Sequence, residues 1–318
     1  MSLGRVTSTQ LYTNAQTSMS QLKSRLSTVQ SQASTGLAIQ KPSDDPAGTA
    51  QVLRLRSDIA ANAQYGTNIS DGLSWLATAD SALSKSTDLV RQASDLTIQA
   101  SNSATASPTT REAIAVQLEG LKADLMAQAN TKYLGRSVFA ATSDAAAAFT
   151  AAGAYQGVTT ADGSAVPVQR RISASESITV SADGGAAFGT PGTGTTDGTS
   201  VFQAIDRVVS ALRDGTYGTD TSSTGPQAVV TAGIGALQTS LSRLSSQQAV
   251  VGSDYSRIET AKARNVDAAA TLEKQRSSVQ DVDTTAVLLN LKTQEVAYQT
   301  ALSVTARVLQ PTLMSFLQ

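Results

Sequence analysis

Asp44 and Asp45 are the two side chains whose type and spacing come closest to a chemical site in this chain. Adjacent carboxylates can share a proton in acid–base catalysis or supply oxygen ligands to a hard cation. Both lie in the run Pro42-Ser43-Asp44-Asp45-Pro46, and an Asp directly before a Pro is also a common helix start, with Asp as N-cap and Pro at the first helical position. Because capping accounts for the whole pattern, we interpret this run as a helix start and domain joint.

The composition removes the common catalytic constellations. The 318 residues include no His and no Cys. Without Cys there is no disulfide, thiol nucleophile or thiolate metal site, and without His the commonest general base and zinc ligand is missing. The His-Glu-x-x-His motif of a metalloprotease is therefore impossible, and no Gly-rich phosphate-binding loop is present. We expect no catalytic residue, no metal and no cofactor.

Charge and hydropathy exclude two further classes of partner. The net charge is −1, charged residues make up 15% of the chain, and no basic cluster stands out, so the positive footprint of a nucleic-acid-binding protein is missing. No apolar stretch is long enough for a membrane-spanning helix. Residues 1–20 lack the apolar core of a secretory signal peptide, so we expect the chain to leave the cytoplasm only through a dedicated export apparatus.

Apolar residues near the start of the chain recur at heptad spacing, which predicts a coiled-coil helix from Arg5 to Thr35 that stops at Gly36. Ser18 or Met19 fills the one seven-residue gap in this pattern. The seam consists of Leu11, Ala15, Leu22, Leu26, Val29 and Ala33.

Further helices are predicted from apolar spacing and from helix start signals. The second begins at Pro46 and runs to about Ala100, and the third opens at Ser107-Pro108 and ends near Gly135. Another helix begins at Ser200. The cleanest periodicity runs from Val230 to Ile258 in uninterrupted steps of four and three, and we expect it to face an intramolecular core. The final seam is formed by Leu288, Leu291, Tyr298, Leu302, Leu309, Leu313 and Phe316, with a kink expected at Pro311.

The segment 141–198 differs in composition, being rich in Gly, Thr, Ala and Ser. The pairs Val166/Val168 and Ile178/Val180 predict short strands, and Asp183-Gly184-Gly185 predicts a turn. The predicted fold is mainly α: a long antiparallel helical coiled coil or bundle made from both chain ends, with a small β-rich inserted domain. The expected domains are 1–42 with 280–318 (terminal coiled coil), 43–140 with 199–279 (helical rod) and 141–198 (outer insert).

The terminal seams are too thin to stabilise an isolated helix pair. Many of their core positions hold Ala, Ser, Thr, Gln or Glu, while ordering costs roughly 1–2 kcal/mol per residue in backbone entropy. We therefore expect the chain ends to be largely disordered in the free monomer and to fold when neighbouring subunits cover these seams. If the contacts between subunits are head-to-tail and do not close at one level, they build a helical stack. The assembly residues expected on this argument are Leu11, Met19, Leu22, Leu26, Val29, Leu302, Leu309, Leu313, Phe316 and Leu317.

A set of short motifs is distributed along both halves of the chain outside the insert. These segments are Gln32 to Gly36, Pro42 to Pro46, Gln64-Tyr65, Asn68-Ile69, Gln99 to Asn102, Gly135 to Ala141, Asp281 to Asp283, Gln294 to Gln299 and Ala301 to Leu317. Together they resemble the flagellin superfamily, and within it the hook–filament junction proteins. Ala47-Gly48 is closer to filament flagellins, and Pro311 departs from the junction pattern.

The resemblance implies a structural subunit of the bacterial flagellum. Proteins of this kind are exported unfolded through the flagellar type III apparatus, without a cleaved signal peptide, and act outside the cell. The partners implied are further copies of the same chain in a ring, hook-associated protein 1, flagellin and an export chaperone.

Two other functions remain open at this point. A filament flagellin would polymerise with itself into long fibres. A surface adhesin would use the insert as a binding head, for which Phe149, Tyr155 and Phe188 are the available aromatic side chains.

Overall fold

The computed structural model describes residues 8–102, 107–160, 165–191, 200–220 and 222–308. The predicted fold class is confirmed: long helices dominate, the helices near the two chain ends pair, and the sheets are small. In chain order the elements are α1 (Ser8–Thr35), α2 (Pro46–Asn102), α3 (Pro108–Ala129), β1 (Lys132–Tyr133), β2 (Arg136–Ser137), β3 (Gln169–Arg171), β4 (Ser177–Thr179), α4 (Gly184–Phe188), α5 (Val201–Leu212), α6 (Pro226–Gln280) and α7 (Thr284–Val308).

The chain divides into two compact units. Residues 1–61 and 268–318 form the first, here called the terminal unit, in which α1 packs against α7. Residues 62–267 form the second, the central unit, in which α3 packs against α5. The finer division into three domains stays a prediction.

The long heptad seam of α6 faces the core of the central unit, as predicted. Every second seam residue is almost completely shielded from solvent, and the residues between them are half-buried except for the more exposed Tyr255. The shielded set is Val230, Leu237, Leu244, Val251 and Ile258. Such a stripe is what a core-facing amphipathic helix requires.

Glycine allows two helices of this core to approach closely. A Cβ added to Gly233 of α6 would lie 2.4 Å from Cγ2 of Val208 on α5. Because real side chains never come that close, any larger residue at this position would push the helices apart. The packing of α5 on α6 therefore depends on Gly233 having no side chain.

A reciprocal amide pair links α2 to α6 in the central unit. Asn62 Nδ2 donates to the carbonyl oxygen of Asn265 at 3.0 Å, and Asn265 Nδ2 donates to the Asn62 carbonyl at 2.9 Å and to its Oδ1 at 2.8 Å. Polar pairs inside a helix interface fix the register of the two helices, because a slip would leave the amides unpaired.

An aromatic cluster forms the core beside the insert. Phe149 contacts Phe188, Phe202 and Tyr155 with ring centroids 5.3–5.5 Å apart, and Phe139 meets Phe188 edge-on at 5.3 Å. Burial raises the pKa of Tyr155, the nearby Asp183 carboxylate raises it further, and its hydroxyl donates to the Phe139 carbonyl. The aromatic residues of the insert are thus used for packing.

The insert differs from prediction in one local detail. Residues 184–188 form the short helix α4, whereas Asp183-Gly184-Gly185 was predicted as a turn. The Asp183 side chain accepts from the Ala186 backbone N–H at 3.0 Å and so caps the helix. Strands β3 and β4 pair antiparallel close to the predicted positions, with Arg170 opposite Ile178.

A second hairpin, formed by β1 and β2, follows α3 and was not predicted. Lys132 pairs with Ser137 and Tyr133 with Arg136. The two residues between the strands, Leu134 and Gly135, have φ of 48° and 81°. Positive φ at both central positions defines a type I′ turn, which favours Asn-Gly over a Leu.

A candidate assembly surface in the terminal unit

The inward face of α1 follows the predicted heptad seam. Val29 is buried, and Ala15, Met19, Leu22 and Leu26 are half-buried. Leu11 also lies on α1, although its side chain is outside the described set. Even at its best-covered positions this helix leaves apolar surface in contact with water.

The predicted seam of α7 is partly covered. Leu291 and Tyr298 of that seam are half-buried, whereas Leu288 is 59% and Leu302 45% exposed. The half-buried residues of α7 are Val287, Leu291, Gln294, Glu295, Ala297, Tyr298, Ala301 and Thr305. Leu309, Leu313, Phe316 and Leu317 lie outside the described residues.

Apolar side chains also cover the surface of α7 that α1 does not reach. Leu289 is 71% exposed and Val296 is 59% exposed, seven residues apart and therefore on one side of the helix. Leu288 and Val304 are exposed as well. Single exposed apolar residues are ordinary, but Leu289 and Val296 form a row along one helix, which makes this side of α7 a candidate interaction surface. Leu288 belongs to the predicted terminal seam, whereas Leu289, Val296 and Val304 were missed because they lie outside its heptad positions.

The Pro42 to Pro46 run forms a double cap at the start of α2. Asp45 Oδ1 accepts from the Gly48 backbone N–H at 2.9 Å, and Pro46 is the first helical residue. Asp44 Oδ2 accepts from the backbone N–H groups of Gln40 and Lys41 at 3.1 and 2.9 Å. The Asp44 carboxylate therefore binds backbone N–H groups of the loop ahead of α2, and the Asp45 carboxylate caps the first turn of the helix. Pro42 and Ser43 are exposed.

A backbone clasp joins the loop after α1 to the loop before α7. The Ala38 N–H donates to the Gln280 carbonyl at 2.7 Å, and the Val282 N–H donates to the Gly36 carbonyl at 3.0 Å. The buried Gln280 side chain accepts from Arg56 and Arg276 at 3.3 and 3.1 Å. The clasp fixes where the two terminal helices begin their pairing.

The strongest charge cluster lies elsewhere, in the central unit. The Arg213 guanidinium makes hydrogen bonds of 2.6–3.2 Å to both Glu112 and Glu119 of α3. These bonds lower the pKa of both carboxyl groups and raise that of Arg213. The three side chains satisfy one another and tie α5 to α3.

Neither a metal centre nor a membrane span emerges from the described residues. Within the described ranges, no group of three or more candidate ligand residues could hold a metal ion. None of the helices in that part of the chain combines the length and the apolarity needed to cross a bilayer.

Both ends of the chain match a known family. Residues 6–144 match the bacterial flagellin N-terminal helical region, and residues 234–317 match the bacterial flagellin C-terminal helical region. The chain belongs to the flagellin superfamily. The matched regions contain α1, α2, α3, most of α6 and α7, so they include the paired helices of the terminal unit and long helices of the central unit.

Relatives within the superfamily differ in how much of the chain they cover. Flagellar hook-associated protein 3 of Salmonella typhimurium is 26% identical over 84% of this chain and 85% of its own length. Flagellin FlaB2 of Treponema pallidum is 35% identical, but only over 22% of this chain and 24% of its own.

The crystal structure of the flagellar junction protein FlgL from Legionella pneumophila has a similar fold. Its TM-score is 0.53 at 17% identity, covering 72% of this chain and all of that one. At this identity the likeness concerns the fold alone.

Proposed function

We propose that this protein is a structural subunit of the bacterial flagellum that forms the junction between hook and filament. The observation that supports it best is the near full-length similarity to flagellar hook-associated protein 3, whereas the similarity to a flagellin is confined to about a fifth of the chain. The junction adapts a flexible hook to a stiff filament, and this chain provides a surface on which flagellin can polymerise.

The terminal unit is the part we assign to assembly. Its α1–α7 pair leaves Leu288, Leu289 and Val296 in water, and burying each would contribute about 1.5–3 kcal/mol. Neighbouring copies that cover this face would order the helices and bury these side chains together. Contacts of this kind between identical subunits build the ring that we propose.

The proposed role also implies the order in which the chain would meet its partners. We propose that an export chaperone holds the chain before it passes unfolded through the flagellar export apparatus, without cleavage of a signal peptide. Outside the cell, the ring would rest on hook-associated protein 1 and carry flagellin on its other side. Neither a nucleic acid nor a membrane is among the proposed partners.

The proposed role is structural and not catalytic. Asp44 and Asp45, the most plausible acid–base pair in the sequence, hold backbone N–H groups as caps. The insert gives no support to an adhesin, because Phe149 and Phe188 are buried in the aromatic cluster. The remaining alternative is a filament flagellin, for which deletion of the gene in the host should give a different phenotype.

Deletion of the gene in its native host tests the proposal. Electron microscopy should show hooks without filaments, and the culture supernatant should contain unpolymerised flagellin. Complementation with the wild-type gene should restore filaments, whereas a variant with Leu289→Glu and Val296→Glu should not. Filaments of normal length on the deletion strain would refute the junction role and favour a minor flagellin.

A further inference from the structure

A groove with an apolar floor and acidic walls lies between α2 and α3 of the central unit. Its volume is about 510 Å³. Half-buried Leu96 and Leu121 form the floor, and the exposed carboxylates of Asp95 and Asp124 stand on the two helices. A Cβ added to Gly120 would meet no atom within 4 Å, so the groove is open at this point.

The two wall carboxylates have no counter-ion within the described part of the chain. The basic side chains nearest to them in sequence are committed to other acids: Arg91 pairs with Asp88 at 3.4 Å, and Lys122 pairs with Asp206 at 2.6 Å. The groove therefore offers apolar contact together with uncompensated negative charge. An apolar side chain flanked by cations would complement it.

The β1–β2 hairpin presents such a group. Leu134 at its tip is 81% exposed, and Lys132 and Arg136 flank it, each two residues away. Lys132 has no ion pair among the described residues, and Arg136 has only a 3.6 Å contact with the fully exposed Asp144. Leu134 also holds a positive φ that side chains other than Gly, Asn and Asp adopt at a cost.

The hairpin does not line the groove of its own chain. Tyr133 packs edge-on against the buried Trp75 of α2, with ring centroids 5.7 Å apart, and this contact holds the hairpin in place. On α2, Gln92 of the groove lies 17 residues beyond Trp75, roughly 25 Å at about 1.5 Å per residue. On α3, the groove includes Asp124 near the end of the helix, but none of its lining residues belongs to the hairpin. The two surfaces are therefore separate in the folded chain, and a second copy can supply the hairpin tip.

We propose that the hairpin tip of one copy docks into the α2–α3 groove of a second copy. Leu134 lies on the Leu96/Leu121 floor, and Lys132 and Arg136 face Asp95 and Asp124. The contact joins two different surfaces of the same chain, so it is head-to-tail and can be repeated from copy to copy. It rests on the proposed function only for its place in a ring, and it can be tested on the purified protein.

The chain contains no Cys, which permits a clean cross-linking test. Full-length Leu134→Cys and Gly120→Cys variants are mixed in equal amounts and oxidised with copper phenanthroline. Disulfide-linked dimers should form roughly tenfold more than in a mixture of Gly120→Cys with Val266→Cys, because bridging requires Cβ atoms about 4 Å apart. Val266 is also an exposed apolar residue of the central unit, on α6. Equal dimer yields in the two mixtures would overturn the proposal.

The Leu134→Asn variant distinguishes an effect on docking from an effect on folding. Asn suits the type I′ turn better than Leu, so the melting temperature should rise by about 2–4 °C. Self-association measured by sedimentation velocity should nevertheless fall, because the apolar tip is gone. A variant that is more stable and associates as strongly as wild type would contradict the proposed contact.

A charge exchange tests the pairing itself. Lys132→Glu and Asp124→Lys should each weaken self-association, and combining them in one chain should restore part of it. Additive losses would exclude this pairing.

These outcomes are independent of the deletion experiment. Hooks without filaments combined with no specific cross-link would refute the docking alone, whereas a specific cross-link combined with normal filaments would refute the junction role alone.

Discussion

The two units of this chain are both built mainly from helices but bury very different cores. Among the described residues of the terminal unit, the buried apolar side chains are Val29, Val52 and Leu55, each still 5–8% exposed. The central unit buries whole helix stripes and four Phe side chains. Since hydrophobic burial must offset the entropy of ordering, we expect the central unit to fold alone and the terminal unit to need neighbouring subunits.

The difference teaches that long helices do not by themselves indicate a stable domain. The heptad spacing determines which helix faces pack together, whereas the size of the seam side chains determines how much their burial stabilises the pair. α6 has large residues on its seam, and α1 has Ala15, Gln32 and Ala33 among its partly covered positions. Four substitutions test this contrast.

The largest effect is expected from Phe149→Ala. Phe149 is 1% exposed and contacts three other aromatic rings, so its removal should lower the free energy of unfolding by about 3–5 kcal/mol. Urea unfolding followed by the fluorescence of Trp75, the only Trp in the chain, measures it. The exposed Val116→Ala serves as a control, and a loss below about 1 kcal/mol for Phe149→Ala would mean that the aromatic cluster is not a core.

A smaller loss is expected from Asn265→Ala. It removes two donated hydrogen bonds and leaves the Asn62 carbonyl without this partner, which should cost about 1–3 kcal/mol by the same fluorescence assay. Lys262→Ala, one turn earlier on an exposed position of α6, should change little. An Asn265→Ala variant as stable as wild type would show that the amide pair adds no net stability.

A pH-dependent effect is expected from Arg213→Gln. The usual pKa of Glu112 and Glu119 is 4.5, and it is lowered in the folded chain. Folded carboxyls with a depressed pKa contribute stability that is present above their unfolded pKa and is lost as pH falls through the folded pKa. The difference in melting temperature between wild type and Arg213→Gln should therefore be largest near neutral pH and shrink below about pH 4. A difference that is constant with pH would rule out the carboxylates as its source.

The smallest effect on the monomer is expected from Leu26→Ala. Although Leu26 lies on the α1 seam, its loss should change the Trp75 unfolding transition by less than about 0.5 kcal/mol, because Trp75 reports the central unit. In the native host the same variant should shed flagellin into the medium. A large loss in the monomer would mean that the terminal unit folds without neighbours.

Heptad spacing predicted the fold well where large residues define it. The α6 seam and the α1 seam follow their predicted registers, and Asp45-Pro46 and Ser107-Pro108 lie where α2 and α3 begin. These features are local or periodic, so they are present in the sequence before any tertiary contact forms.

Three features differ from the prediction for separate reasons. Leu302 was predicted on the α7 seam, but it is exposed while the adjacent Ala301 is half-buried, because apolar spacing does not fix which of two neighbouring residues is covered. The β1–β2 hairpin was missed because Leu134-Gly135 lacks the usual Asn-Gly signal. The segment Asp183 to Gly185 begins a helix because Asp183 supplies a cap, although its glycines indicate a turn.

The hairpin tip and the groove are different surfaces of one chain, so an assembly built through them has a direction. In the closed ring that we propose, every Leu134 tip would occupy the groove of the next copy, and no tip or groove would be left free. A ring that lacks one copy would keep one tip flanked by cations and one groove lined by Asp95 and Asp124, so a further copy of the same chain would be the subunit that completes it.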